Sequence, residues 1–194
     1  MFISRENTIQ SLNNYHIKEF SNMKFQELPF VGKINLRGNP NNKNFLLSCS
    51  KILNSVLPTD PNTYTNHKEG KIIWLGPDEW LITVEFQDNN ELFNKLQNAV
   101  GDQESSITDV TENRTIIRIS GKKLFDLLSK FLVLDLDKAL SNELKSVAQT
   151  LFVKVPILIV RNRNQDLEVD IYTNRSHANY VYNLLIDGTK NLDF

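Results

Sequence analysis

The segment KIIWLGPDEWLITVEF, Lys71 to Phe86, decides the fold. It contains two apolar runs, Lys71 to Leu75 and Trp80 to Phe86, separated by four turn-forming residues, Gly76, Pro77, Asp78 and Glu79. Two such runs around a short turn predict an antiparallel β-hairpin. One side of the second run is predicted to be buried, because apolar residues alternate along it: Trp80, Ile82, Val84 and Phe86.

A strand and a helix precede this hairpin. Ile34 and Leu36 alternate with polar neighbours, and Asn39 and Pro40 are residue types that cap and begin a helix, here predicted to extend to about Leu57. Its inward face is predicted to comprise Phe45, Cys49, Ile52, Leu53 and Val56. A second helix, which has Asp88 and Glu91 in capping-box relation and ends near Gly101, follows the hairpin.

The second half of the chain repeats this order. Residues 107–111 and 114–120 are predicted to be paired strands, after which Gly121 precedes a helix from Lys122 to about Val133. The next element is a long apolar strand region over Gln149 to Val160, in which Pro156 suggests a bulge or an edge. A half-buried strand in which Leu167, Val169 and Ile171 alternate with Glu168 and Asp170, and a helix over Ser176 to Ile186, complete the chain. This order predicts an α+β protein of two similar ferredoxin-like halves, approximately 28–103 and 104–194, with largely antiparallel sheet and helices on one face.

Residues 1–27 have isolated apolar side chains, such as Leu12, Tyr15 and Phe25, without a sustained period. They predict an N-terminal arm outside the domain formed by residues 28–194. The arm is interpreted either as a frayed terminus or as a segment that lies across a partner.

Composition excludes several classes of function. The chain has 194 residues, 40% of them hydrophobic and 23% charged, and a net charge of -1, which predicts a globular protein without nucleic acid as a partner. The single cysteine, Cys49, allows no internal disulfide and indicates a reducing compartment. No apolar run has the length of a signal peptide or a membrane span, so a cytoplasmic protein with no membrane partner is expected.

Familiar catalytic and cofactor motifs are missing from the sequence. The three histidines, His16, His67 and His177, are far apart, which argues against zinc. Neither Gly-x-Gly-x-x-Gly nor Gly-x-x-x-x-Gly-Lys-Ser/Thr occurs, so no phosphate cradle of either kind is predicted. We therefore expect no catalytic, cofactor-binding or metal-binding residue in this chain.

Three local features remain. The first is Trp74 to Leu81, whose turn is either the tip of a hairpin with core tryptophans or a binding tip; the second is Asp109 to Arg114; the third is Ala148 to Lys154. The candidate motif or interface residues in these features and at the last helix start are Asp78, Glu79, Trp80, Asp109, Arg114, Gln149, Thr150, Lys154 and Arg175.

These features, with Leu134-Asp-Leu136 and Arg175-Ser176, resemble in this order the gamma subunit of heterotetrameric sarcosine oxidase over about Leu28 to Asp187. The segment Asp109 to Leu128 also resembles the opening of the folate domain of aminomethyltransferases. Two residues depart from what this resemblance implies: Leu124 replaces the Ala usual in the helix, and Val147 stands where the family often has a Cys before Ala-Gln-Thr.

The resemblance implies an accessory, non-catalytic subunit of a complex that oxidatively demethylates sarcosine to glycine, yields hydrogen peroxide and passes the one-carbon unit to tetrahydrofolate. It implies large, middle and small subunits as partners, and places FAD, FMN, NAD, tetrahydrofolate and zinc in those subunits. The alternatives are the equivalent subunit of an N-methylglutamate dehydrogenase-type complex, a free-standing folate-binding protein similar to aminomethyltransferases, and a homo-oligomeric scaffold.

Overall fold

A computed structural model describes residues 8–9, 17–20, 22–68, 70–100, 103–141, 146–162, 167–190 and 192. The strands of these residues, numbered in chain order, are β1 (Lys18–Phe20), β2 (Met23–Glu27), β3 (Val31–Arg37), β4 (Tyr64–His67), β5 (Gly70–Gly76), β6 (Glu79–Glu85), β7 (Ser106–Asp109), β8 (Arg114–Ser120), β9 (Val147–Phe152), β10 (Val155–Arg161) and β11 (Glu168–Asn174). The α-helices are α1 (Lys43–Leu53), α2 (Asn89–Val100), α3 (Leu124–Ser129), α4 (Leu136–Ala139) and α5 (Ala178–Thr189).

The chain folds into two compact units. The central unit is Phe30–Thr111, and the terminal unit combines Met1–Pro29 with Glu112–Phe194. The central sheet has the strand order β4-β5-β6-β3-β7, and the terminal sheet has the corresponding order β9-β10-β11-β8-β2, followed by β1. Every neighbouring pair is antiparallel. The predicted α+β class with two similar, antiparallel halves is therefore confirmed.

Strand β2 occupies the position in the terminal sheet that β7 occupies in the central sheet. It pairs with β8, with Lys24 opposite Ser120 and Glu27 opposite Ile117. Met23 and Phe25 are fully buried in the core of the terminal unit. Residues 23–27 are thus a strand of the sheet and not part of an arm outside it. The predicted arm residues Leu12 and Tyr15 lie outside the described residues.

The unit boundary also differs from the predicted division at residues 103 and 104. Strand β7 pairs with β3, with Ile34 opposite Asp109 and Arg37 opposite Ser106, whereas β8 pairs with β2 and β11. The expected pairing of residues 107–111 with 114–120 is therefore wrong. Between β7 and β8 the chain leaves one sheet and enters the other, so sequence neighbours do not become strand neighbours.

Helix α1 begins three residues later than predicted. The Asn42 side chain, not that of Asn39, accepts hydrogen bonds from the backbone N–H groups of Asn44 and Phe45, at 3.0 and 3.2 Å. The helix ends at Leu53, and the next residue, Asn54, adopts a left-handed conformation with φ of 49°. Val56 consequently lies beyond the helix and is exposed, which corrects its predicted place on the inward face.

The hairpin that decides the fold is formed by β5 and β6, with Gly76 opposite Glu79 across a turn of two residues, Pro77 and Asp78. The turn is shorter than the four residues predicted. Both faces of β6 are buried from Trp80 to Val84. The prediction of one buried side is wrong for this strand, because Leu81 and Thr83 are covered as well.

The region predicted as one long strand is a second hairpin, β9 and β10, with Phe152 opposite Val155. Its turn comprises Val153 and Lys154, and Val153 has a φ of +57°. A valine in this conformation is unusual, since turns of this kind favour glycine or asparagine. The lack of a glycine or asparagine signal explains why the sequence predicted one strand region, with a bulge or an edge at Pro156, and not a hairpin.

Helices cover one face of each sheet. The central core lies between the sheet and helices α1 and α2 and includes Phe45, Cys49 and Leu96. The terminal core includes Leu127 of α3, Leu136 of α4 and Leu185 of α5. None of the described helices has the length and apolar composition that a membrane crossing requires.

Candidate functional site

The two candidate carboxylates of the β5–β6 turn are bonded to β3. The Asp78 Oδ2 accepts a hydrogen bond from Arg37 Nη2 at 3.0 Å, and the backbone N–H of Gly38 donates to the Asp78 carbonyl at 3.0 Å. The Glu79 Oε1 accepts from Asn35 Nδ2 at 2.7 Å. These side chains therefore fasten the hairpin turn to the end of the neighbouring strand.

Trp80 belongs to the core of the central unit. Its side chain is fully buried, its ring centroid lies 6.0 Å from that of Phe45, and its Nε1 donates to the Pro58 carbonyl at 2.8 Å. An indole that fills a core and also finds a hydrogen-bond partner is well suited to a structural role. Of the two interpretations left open by the sequence, this geometry favours the hairpin with a core tryptophan at Trp80, whereas Trp74 is half-buried.

A depression of 530 Å³ lies beside this turn and is lined by Arg37, Gly38, Asn39, Pro40, Asp78, Glu104, Ser105 and Ser106. Its only described cationic side chain, Arg37, pairs with Asp78 at 3.0 Å and lies 4.0 Å from Glu79. The charge of the guanidinium is thus already balanced within the chain. The depression presents a mixed polar surface and no concentrated charge of either sign.

Asp109 joins three elements of the central unit. Its Oδ1 accepts from the Thr111 backbone N–H at 2.9 Å, and its Oδ2 accepts from Asn89 Nδ2 at the start of α2, at 3.1 Å. Beside it, Lys33 is 2% exposed and donates from Nζ to the carbonyls of Val31 and Thr111, at 2.9 and 3.2 Å. The Asp109-Val-Thr motif therefore holds β7, β3 and α2 together.

Two candidate arginines lie at neighbouring strand ends in the terminal unit. Arg114, the first residue of β8, is opposite Asn174, the last residue of β11. The next residue, Arg175, donates its backbone N–H to the Asn113 carbonyl at 3.1 Å and pairs through Nη1 with Glu112 Oε2 at 2.8 Å. Both arginines thus lie where the chain enters β8 and leaves β11.

The remaining candidates lie on the β9–β10 hairpin of the terminal unit. Gln149 and Lys154 are exposed and Thr150 is half-buried. The structure therefore divides the nine candidate residues between the units: Asp78, Glu79, Trp80 and Asp109 in the central unit, and Arg114, Gln149, Thr150, Lys154 and Arg175 in the terminal unit. Within neither unit do they converge on a single site.

A partly buried ion pair in the terminal unit was not predicted. Asp170 is 1% exposed and binds Arg118 through two hydrogen bonds, Nε to Oδ1 at 2.7 Å and Nη2 to Oδ2 at 3.0 Å. Burial, the largest influence, lowers the pKa of Arg118, but the hydrogen bond and charge of Asp170, with the charge of Glu168, outweigh it and raise that pKa. The alternation around β11 predicted Asp170 on an exposed face, and that expectation is wrong.

A second buried carboxylate, Glu27, connects the start of the described chain to the sheet. Its oxygens accept from the backbone N–H groups of Thr8 and Ile9 at 3.1 and 2.9 Å and from Thr115 Oγ1 at 2.5 Å. Glu27 follows the alternation of Met23 and Phe25, and this period of two was the available signal for both the strand and the inward-facing carboxylate.

Cysteine and histidine are the residue types of this chain best suited to nucleophilic or metal chemistry. Burial raises the pKa of the Cys49 thiol to about 12, so this thiol is a core group at neutral pH. His67 lies with Nε2 at 2.7 Å from the Thr83 carbonyl. Among the described residues, which exclude His16, no group of three or more histidine, cysteine, aspartate or glutamate side chains is placed to hold a metal ion.

Comparison with known proteins gives a consistent set of relatives. The model of the sarcosine oxidase gamma subunit family matches residues 37–191. A sarcosine oxidase subunit gamma from Corynebacterium sp. (strain P-1) is 25% identical over 167 residues, which cover 86% of this chain and 79% of that protein.

Solved structures show where the same fold occurs. A chain of the heterotetrameric sarcosine oxidase from Corynebacterium sp. U-96, in complex with pyrrole 2-carboxylate, superposes with a TM-score of 0.78 at 20% identity, covering 95% of this chain and 92% of that chain. The glycine cleavage system aminomethyltransferase T from Bartonella henselae superposes with a TM-score of 0.58 at 11% identity, covering 89% of this chain and 53% of that chain. The predicted likeness to aminomethyltransferases is thereby confirmed for the fold.

Proposed function

The chain belongs to the sarcosine oxidase gamma subunit family, and from this we propose that it is the accessory, non-catalytic subunit of a heterotetrameric oxidase. The observation that carries the proposal is the family match over residues 37–191, a range that contains all nine candidate residues. In this proposal its partners are the large, middle and small subunits. The complex oxidises the N-methyl group of sarcosine, releases glycine, reduces dioxygen to hydrogen peroxide and passes the one-carbon unit to tetrahydrofolate.

The role of this chain in the proposal is to stabilise the assembly. Its candidate polar residues support this role, because Asp78, Glu79 and Asp109 are all bonded to neighbouring strands or helices of the same unit. Carboxylates arranged in this way fix the positions of surface turns. Rigid turns favour binding, since less conformational entropy is lost when a partner contacts them.

We assign FAD, FMN, NAD, tetrahydrofolate and zinc to the other subunits. Two glycines at the ends of β3 support this assignment, because side chains of the same unit pack directly against them. A Cβ at Gly32 would lie 2.5 Å from the Asn89 Oδ1, and a Cβ at Gly38 would collide with the Phe45 ring. A glycine in a phosphate cradle instead leaves its backbone open to the ligand. These glycines serve contacts between β3 and the two helices of the central unit.

Co-expression tests the proposal. The chain, produced with candidate large, middle and small subunits, should elute with them as one complex in gel filtration. The chain purified alone should show no flavin absorption. An intact, fully active oxidase of three subunits, with this chain eluting separately, would contradict the proposal.

Two alternatives are separated by direct assays. The likeness to aminomethyltransferase T favours a free-standing folate-binding protein as the second candidate, although the chain spans only 53% of that protein. Titration of the isolated chain with tetrahydrofolate tests this alternative, which requires binding without any partner. Oxidation assays of the purified complex with sarcosine and with N-methylglutamate distinguish the two candidate substrates.

A further inference from the structure

A carboxylate ends the equivalent strand of each sheet. In the central sheet Asp109, the last residue of β7, is opposite Ile34 of β3. In the terminal sheet Glu27, the last residue of β2, is opposite Ile117 of β8. Ile34 and Ile117 are themselves equivalent, since each is also opposite an isoleucine of its other neighbouring strand, β6 or β11. Asp109 and Glu27 therefore hold the same place in the two units.

The central carboxylate receives its hydrogen bonds from neighbouring elements of its own unit. Asp109 accepts from the backbone N–H of Thr111, two residues further along the chain. It also accepts from the side-chain amide of Asn89, the first residue of the helix that follows β6. If the terminal unit used the same arrangement, Glu27 would be bonded to the second residue after it and to the first residue of the helix that follows β11.

Neither of these residues can donate a hydrogen bond to Glu27 in the same way. The second residue after Glu27 is Pro29, which has no backbone N–H, and the first residue of α5 is Ala178, which has no polar side-chain atom. Glu27 is only 2% exposed, so its carboxylate is removed from bulk water. Because a buried carboxylate without donors is strongly unfavourable, the terminal unit needs donors from another part of the chain.

These donors come from residues near the start of the chain. The Glu27 Oε1 accepts from the Thr8 backbone N–H at 3.1 Å, and its Oε2 accepts from the Ile9 backbone N–H at 2.9 Å. Each oxygen thus holds one of two successive N–H groups, and Thr115 Oγ1 adds a third hydrogen bond at 2.5 Å. We call Thr8 and Ile9 the strap.

Two further contacts fix the strap on the terminal unit. The Ile9 side chain is fully buried and belongs to the core of this unit. The Thr8 carbonyl accepts a hydrogen bond from Asn179 Nδ2 of α5 at 3.1 Å. The strap therefore contacts a helix and the sheet, and it contributes one side chain to the core.

The strap and the sheet are held by different kinds of bond. Both N–H groups of the strap and its Thr8 carbonyl are bonded to side chains, those of Glu27 and Asn179. The strands β8 and β11 are instead joined along seven residue pairs, and β10 and β11 along five. A segment held by a few side-chain contacts opens at a lower free energy than a continuous strand ladder in a core.

From these observations we propose that the strap is a closure of the terminal core that opens and closes while the sheet stays folded, and that Glu27 is the latch that keeps it closed. The sequence differences at Pro29 and Ala178 explain why the terminal unit has this device, whereas Asp109 is satisfied locally. The inference concerns the chain itself and does not depend on the proposed function.

Backbone hydrogen exchange of the full-length chain, measured by nuclear magnetic resonance, tests the proposal. In the wild type the Thr8 and Ile9 amides should be protected, yet should exchange at least about tenfold faster than those of β11. Glu27→Gln removes the charge and one of the two acceptor oxygens. The strap amides should then exchange at least about tenfold faster than in the wild type, while those of β11 should stay within about twofold.

Asp109→Asn is the matched control, because it makes the same chemical change at the equivalent place in the central unit. It should leave exchange of the strap within about twofold of the wild type. Ile9→Ala is a second variant, which keeps the latch and removes the buried side chain of the strap. It should also accelerate exchange of the strap by at least about tenfold without affecting β11, and it decides the test if Glu27→Gln does not fold.

Several results would overturn the proposal. Unchanged exchange of the strap in a folded Glu27→Gln variant, or equal acceleration by Asp109→Asn, would exclude Glu27 as the latch. Equal acceleration of strap and β11 amides in either strap variant would show that both belong to one cooperative unit. Wild-type strap amides that exchange as fast as those of an unfolded chain would exclude a closed strap. Failure of both Glu27→Gln and Ile9→Ala to fold would show that the sheet requires the strap.

Discussion

Substitution of Phe25 tests whether β2 is an integral strand of the terminal sheet. Phe25 is fully buried, and its ring makes edge-on contacts with Phe20 and Tyr182 at centroid distances of 6.0 and 6.4 Å. Truncation of a buried phenylalanine to alanine costs about 3 to 5 kcal/mol, the sum of lost transfer energy and a residual cavity. At about 2 to 4 °C per kcal/mol for a chain of this size, Phe25→Ala should lower the melting temperature by about 6 to 20 °C.

The adjacent residue provides the control. Lys24 is exposed and pairs only across the surface with Glu19 at 3.6 Å, an interaction of a type that contributes under about 1 kcal/mol. Thermal melts followed by circular dichroism should therefore show a small shift for Lys24→Ala and a large one for Phe25→Ala. Equal shifts for the two variants would refute the reasoning, because a segment outside the core would tolerate both changes alike.

Three further predictions concern buried groups. In urea denaturation, Trp80→Ala should lower the free energy of unfolding by about 3 to 5 kcal/mol and Asp78→Ala by under about 1 kcal/mol. A larger effect of Asp78→Ala would mean that the turn, and not the core, determines the stability of this hairpin. Cys49 should not react with a thiol reagent in the native protein at pH 8, since burial raises its pKa to about 12, but should react fully in denaturant; rapid native labelling would show an accessible thiol. Asp170→Ala should lower the free energy of unfolding by a value near the lower end of about 3 to 5 kcal/mol, because Arg118 loses its buried partner but is 33% exposed and can be hydrated. A double variant that also replaces Arg118 should recover part of this loss of stability.

The amino-acid sequence by itself determined the type and order of most elements. Alternation within β3 and β6, and the spacing of Leu124, Leu127 and Leu128 in α3, are local patterns that one segment contains completely. Such periods report which residues share a face, so the α+β class and the two similar halves could be predicted. The motifs that resemble the gamma subunit family were equally readable, because they depend on residue identity and order alone.

Two local signals were insufficient. The alternation of β2 extends over only five residues, and the β9–β10 turn has valine where a hairpin usually has glycine or asparagine. In both places the preference of the local sequence for one secondary structure is too weak to determine the conformation, and packing against the rest of the unit overrides it. An arm and a single long strand were therefore predicted where the structure has a core strand and a hairpin.

Only the tertiary structure decided which strands pair and which polar groups are buried. Glu27 meets Thr115 across 88 positions of the chain, and Arg118 meets Asp170 across 52. Alternation shows that Glu168 and Asp170 share a face but not whether that face is covered, since coverage depends on elements remote in sequence. Strand pairing and burial depend on contacts between segments that are distant in the sequence, and a local pattern carries no information about the energies of such contacts. For that reason only the folded chain shows to which sheets β2 and β7 belong.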